Sequence, residues 1–182
     1  MIGFQRALVV IFPALALLWC ATASAQPLTD HKVEARHGDW QVVCKPPASG
    51  SSRICGLVQN VMAEDRSNVG LVIQFQQYDG GARAIRIFAP LGVLLPQGLR
   101  VKLDDNDVCF GKAATGTCLP FPFLRCTPDA CIAQIAIGDD LLGKLKTSKT
   151  AVFIVYQTEE AGIGIPISMN GFSKAYEALA AK

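Results

Sequence analysis

Three side chains able to do chemistry fall in one short run, His37-Gly38-Asp39-Trp40-Gln41-Val42-Val43-Cys44. For catalysis, His37 would serve as base and Cys44 as nucleophile. That chemistry needs Cys44 as a free, activated thiolate. The structural alternative gives every group a quieter role. Gly38 permits an unusual backbone, Asp39 turns or caps it, Trp40 fills a core beside a bridged Cys44, and His37 is solvated. The compartment decides between them, because oxidising compartments convert paired thiols to disulfides.

The N-terminus reads as an export signal. Arg6 provides a short basic region, residues 7–19 an apolar run, and Ala23-Ser24-Ala25 a small-residue cleavage site. The run is short for a bilayer span and Pro13 interrupts it. Trp19 before Cys20 is the wrong neighbour for lipidation. The expected organisation is a cleaved signal at 1–25, a polar lead-in at 26–37 and one domain at 38–182. The mature chain is expected in the periplasm, or beyond it as a secreted or outer-membrane-associated protein, with no transmembrane anchor. The formal charge of +2, or +1 without Arg6, gives no electrostatic footprint for nucleic acid.

Cys44, Cys55, Cys109, Cys118, Cys126 and Cys131 remain after the signal. An even count in an oxidising compartment reads as disulfides, although six cysteines admit many pairings. The spacing suggests local staples 44–55, 109–118 and 126–131, each stabilising by about 2–3 kcal/mol. Bridges that cross the fold stay open as an alternative. With Cys44 paired, the catalytic reading of residues 37–44 recedes.

The surrounding elements alternate with period two, the mark of half-buried strands. Trp40, Val42 and Cys44 share one face. Leu71, Ile73 and Phe75 share another with Ile85 and Ile87, across a hairpin that Asp79-Gly80 signals. Strands are expected near 99–103, along the extended "LPFPFLRC", in "CIAQIAI", in a fully buried "AVFIVYQ" and in "GIPISM". A helix is expected at "GDDLLGKLKTSK", capped by Asp139 or Asp140. A second follows from Phe172, Ala175, Tyr176 and Leu179. The fold class is therefore an all-β sandwich with one or two short helices, stapled by disulfides.

Other chemistries lack their parts. Cys126 and Cys131 have no second zinc-ligand pair. Asp104, Asp105, Asn106 and Asp107 lack the central glycine and distal glutamate of a calcium loop, and read as a solvated turn. There is no C-x-x-C, no G-x-S-x-G elbow and no P-loop. No metal and no cofactor is expected. Two apolar segments remain as partner-binding candidates: Leu91, Val93, Leu94 and Leu95 in "PLGVLLPQGL", and Phe121 and Phe123 in "LPFPF". Each could instead line the core.

Five stretches taken together resemble one family. "GDWQVVC" at 38–44, "PLGVLLPQGL" at 90–99, "FLRCTPDACIAQI" at 123–135, "LKTSKTAVF" at 145–153 and "PISMNGFSKAYEAL" at 166–179 are similar to the invasion-associated locus B family of exported bacterial proteins. The resemblance implies an immunoglobulin-like β-sandwich and export, with a link to host-cell invasion in pathogenic members. It supplies no catalytic motif. The function expected is that of a non-enzymatic binding or structural module, presenting a loop or an edge strand to an envelope or host-surface protein. The rivals are an enzyme or enzyme inhibitor using carboxylates such as Asp39, Asp129 or Glu159, and a small-ligand carrier with an apolar cavity between its sheets.

Overall fold

A computed structural model describes residues 32–45, 54–64 and 66–181. The expected signal at 1–25 and the expected turn at 46–52 lie outside the described residues. The strands are β1 (Lys32–His37), β2 (Trp40–Lys45), β3 (Ile54–Ala63), β4 (Arg66–Gln77), β5 (Arg83–Ala89), β6 (Arg100–Leu103), β7 (Asn106–Asp107), β8 (Phe123–Cys126), β9 (Cys131–Ala136), β10 (Thr150–Tyr156) and β11 (Gly162–Ser168). Helix α1 (Asp139–Thr147) precedes β10, and α2 (Phe172–Ala180) follows β11.

The strands form two antiparallel sheets. One has seven strands in the order β1-β2-β3-β4-β5-β9-β8, and the other four in the order β11-β10-β6-β7. The apolar faces set the stacking. Val42, Leu57, Phe75 and Ile85 form a cross-strand row on the inner face of the larger sheet, and all four are buried. Val101, Ala151, Phe153, Ile165 and Ile167 face them from the smaller sheet into one common core. The smaller sheet is too narrow to cover the larger, so the helices complete the layer. Phe172 of α2 meets Trp40 and Phe75 edge-on, with ring centroids 5.0 and 5.7 Å away. Leu142 and Leu145 bury the apolar side of α1.

The disulfides are Cys44–Cys55, Cys109–Cys118 and Cys126–Cys131, all local. Cys44–Cys55 and Cys126–Cys131 join residues directly opposite each other on neighbouring strands of one sheet. None links the two sheets, so the sandwich lacks the inter-sheet bridge of antibody domains. Trp40 is buried as expected, but it packs on Phe172.

Five further expectations are corrected. Residues 32–37 of the lead-in form edge strand β1, paired with β2. The β4–β5 connection spans residues 78–82, longer than a two-residue hairpin turn. The N-cap of α1 is Gly138, while Asp139 lies in the first turn and pairs with Arg83 at 2.6 Å. His37 is half-buried, with its Nε2 shielded from solvent. Finally, β10 is buried on one face alone. Ala151, Phe153 and Val155 face the core, while Val152, Ile154 and Tyr156 are half-exposed outside.

Candidate functional site

The two apolar segments singled out from sequence meet in space. Leu99 and Phe121 form an antiparallel bridge, each N–H donating to the other's carbonyl at 2.8 Å. Gly98 permits the approach, because a Cβ there would stand 2.7 Å from the Phe121 carbonyl oxygen. Pro96 sits in a tight turn at residues 95–97, and the Leu94 N–H donates to the Tyr156 carbonyl. The segment is thereby pinned to β10.

The bridge sorts the candidate residues. Phe121 is fully buried against Phe110, with ring centroids 4.9 Å apart, and Val93 is 8% exposed. Both are core residues and closed to a partner. Leu94 and Phe123 are half-buried. Leu91 and Leu95 face solvent, at 49% and 43% exposure. Sequence reasoning missed Leu119 and Leu124, at 41% and 64%. Leu124 falls where the β8–β9 register slips between Phe123 and Arg125, so it escapes the regular alternation. Among the described residues every exposed leucine lies in these two bridged segments or, as Leu124, directly after the second in β8.

The loop closed by Cys109–Cys118 braces this region. The Phe110 N–H donates to the Leu119 carbonyl at 3.1 Å, and the Leu119 N–H to Gly111 at 2.9 Å. A small cleft of about 50 Å³ opens beside it, lined by Arg100, Asp107, Leu119 and Pro120 among others.

The run 37–44 holds no nucleophile, since Cys44 is in a disulfide. Its groups serve a structural clasp instead. The Trp40 indole N–H and the Gln59 amide both donate to the Ser168 carbonyl at 2.9 Å. The Ser168 hydroxyl donates to Asp39 at 2.6 Å, and the Asp39 N–H reaches the Asn170 carbonyl at 3.2 Å. Gly38 and Gly171 have positive φ and abut this contact. A Cβ on Gly171 would collide with the His37 carbonyl. The carboxylates weighed for catalysis are dispersed over three turns: Asp39 between β1 and β2, Asp129 between β8 and β9, and Glu159 between β10 and β11.

Asp104 is likewise occupied. It and Asp105 have positive φ in the β6–β7 turn. The Asp104 carboxylate accepts from the N–H groups of Lys149 and Thr150 at 2.9 and 3.0 Å. Those backbone donors, Thr150 first and Lys149 second, hold its carboxyl below the usual aspartate range. Beside it lies an open hollow of about 380 Å³, lined by Leu103, Asn106, Asp107, Val108, Lys144 and Thr147 among others. Among the described residues no three His, Cys, Asp or Glu side chains are grouped to share a metal ion. The void between the sheets, lined by Trp40, Phe75, Leu145, Phe153 and their neighbours, is about 20 Å³. That is room for about one water, against about 300–1,000 Å³ for a small-molecule site.

All four sheet edges are interrupted. β1 carries a bulge between Val33 and Ala35 and the charges of Lys32 and Arg36. β8 is a bulged strand of four residues and β7 has two. β11 contains Pro166, which has no N–H to donate, and the Ser168 carbonyl is already engaged. Such edges discourage pairing with an added strand. No described helix is long and apolar enough to cross a membrane.

No curated protein matches the chain. Among solved structures, the chain is similar to the crystal structure of invasion associated protein B from Bartonella henselae. The TM-score is 0.64 with 19% sequence identity, over 82% of this chain and 96% of that one. At that identity the likeness establishes the two-sheet fold. The sequence itself matches the family model described as invasion associated locus B (IalB) protein over residues 40–180. That span takes in the Trp40–Ser168 clasp, the three disulfides and both leucine-bearing segments, and it makes this chain a member of the invasion associated locus B family.

Proposed function

We propose that this protein is an exported, non-enzymatic binding module that engages an envelope or host-surface protein through its leucine rim. One observation carries the reading: the exposed leucines Leu91, Leu95 and Leu119 belong to two segments held together by the Leu99–Phe121 bridge, and Leu124 follows directly in β8. Apolar side chains gathered in solvent on a braced loop surface offer the contiguous patch that marks a protein contact. The blunted sheet edges favour a loop-mediated contact over strand addition. Three disulfides fit an oxidising location, in the periplasm or outside the cell. The small inter-sheet void argues against a carrier.

Serine at Leu91, Leu95, Leu119 and Leu124, singly and together, tests this. Each single change at such exposed sites is expected to alter stability by no more than about 0.5 kcal/mol. The combined variant is expected to stay folded and to lose its partner. Partner capture unchanged in a folded quadruple variant would refute the rim.

A further inference from the structure

The overall charge is close to neutral, but it is unevenly distributed. Strands β2, β3, β4, β5, β8 and β9 contain no Asp or Glu, while they carry Lys45, Arg66, Arg83, Arg86 and Arg125. The acidic residues concentrate in turns and helix starts, such as Asp104, Asp105, Asp139, Asp140, Glu159 and Glu160. Of these, Arg83 is paired with Asp139 and Arg66 bonds Gln157, so the outer face of the seven-stranded sheet draws its positive charge from Lys45, Arg86 and Arg125, with Arg36 beside Glu34 on the adjoining β1.

That face is also ordered. The strand registers align Arg36, Gln41, Val58, Gln74, Arg86 and Gln134 in one row across six strands. At the usual spacing between strands the row is about 24 Å long. Two amides bordering or ending the row have their oxygens engaged. The Arg86 Nε–H, which can only donate, holds the Gln134 Oε1 at 2.7 Å. The Tyr78 hydroxyl donates to the Gln76 Oε1 at 2.9 Å. Both amides are thus left with their NH₂ groups as the outward donors. Tyr78 is 42% exposed and adds an aromatic surface beside Gln76. Next to it Gly56, having no side chain, leaves a dimple of about 40 Å³ between Val43, Val58, Gln74 and Gln76.

We infer that this outer sheet face is a second binding surface, for an acidic polysaccharide. Outward amide donors and guanidinium groups suit the hydroxyls and carboxylate or sulfate groups of such a polymer. The Val43 and Val58 side chains in the dimple and the Tyr78 ring suit the hydrophobic faces of sugar rings. Amides outnumber cations along the row, which favours a sparsely charged glycan over a nucleic acid with a phosphate at every step. This surface is distinct from the leucine rim and does not depend on it.

The test uses the disulfide-intact protein in affinity electrophoresis through gels containing polygalacturonate, heparin, neutral dextran or single-stranded DNA. Retardation by polygalacturonate or heparin, weakened by added salt and absent with dextran, is expected. An Arg36→Gln/Arg86→Gln double variant, checked for an unchanged melting temperature, should weaken that retardation at least tenfold. Gln74→Ala should also weaken it, while the quadruple leucine variant should migrate as the parent does. No retardation by either acidic polysaccharide overturns the proposal, as does a folded double variant that binds like the parent. Equal or stronger retention by DNA, lost in the same double variant, overturns the glycan assignment in favour of a general polyanion surface.

Discussion

The indole N–H of Trp40 donates to the carbonyl of Ser168 across 128 positions of sequence, at 2.9 Å. The contact joins the start of β2 to the end of β11, and so ties one sheet to the other where no disulfide does. Around it the Gly38 and Gly171 turns interlock, and Phe172 lays α2 against the Trp40 ring. Two of the motifs that mark the family, at 38–44 and 166–179, are thus halves of one contact.

Trp40→Phe should keep the aromatic packing and remove the hydrogen bond. The Ser168 carbonyl retains the Gln59 amide, so the loss is expected at about 1–2 kcal/mol. Trp40→Ala, which also opens a cavity, should cost about 3–5 kcal/mol. Urea unfolding of the oxidised protein measures both. Equal losses for the two variants would mean that the hydrogen bond, and not the ring, dominates.

Asp104 should make stability depend on pH in the acid range. Its folded-state pKa is depressed by the N–H groups of Thr150 and Lys149. Its contribution is therefore complete above the unfolded carboxyl's pKa and is lost as pH falls through the lower, folded value. Asp104→Asn keeps a residue that tolerates positive φ while removing the charge. Thermal melts from neutral to strongly acid pH should show the parent's advantage over Asp104→Asn shrinking as acid is added. Curves that run parallel throughout would contradict this.

The disulfides should reduce in order of exposure. Cys126 and Cys109 are exposed, whereas Cys44 is 1% exposed and its partner Cys55 half-buried. Mild reductant under native conditions, followed by alkylation and mass spectrometry, should label the Cys126–Cys131 and Cys109–Cys118 pairs before Cys44–Cys55. Early labelling of Cys44 would place its strand pair outside the stable core.

Much of this architecture is legible in the residues, and the exceptions have physical reasons. Period-two alternation exposes the core faces of β2, β4 and β5. The close spacing of the cysteine pairs matches local bridges, two between adjacent strands and Cys109–Cys118 across a loop. β10 misleads because Val152, Ile154 and Tyr156 are apolar on the outer face as well, opposite Pro166, Gly164 and Gly162 of β11. No change of polarity along β10 marks the exposed side. β1 hides for the opposite reason: Lys32, Glu34 and Arg36 read as polar lead-in, although an edge strand accepts such residues. In the rim, residue size drew attention to Phe121 and Val93. Only the Leu99–Phe121 bridge shows which side chains turn inward. Leu124 sits at the register slip of β8 and Leu119 precedes that strand, so regular alternation marks neither.

The leucine rim is the contact surface we propose. Site-specific photo-crosslinking in cells that export the protein tests it most directly. A photoreactive residue would replace Leu95 or Leu124, with one at Lys174 on exposed α2 as the control. Both rim positions are expected to yield adducts with the same protein partner, and position 174 none. Rim positions that give no adduct, or an adduct pattern identical to the control, would contradict it.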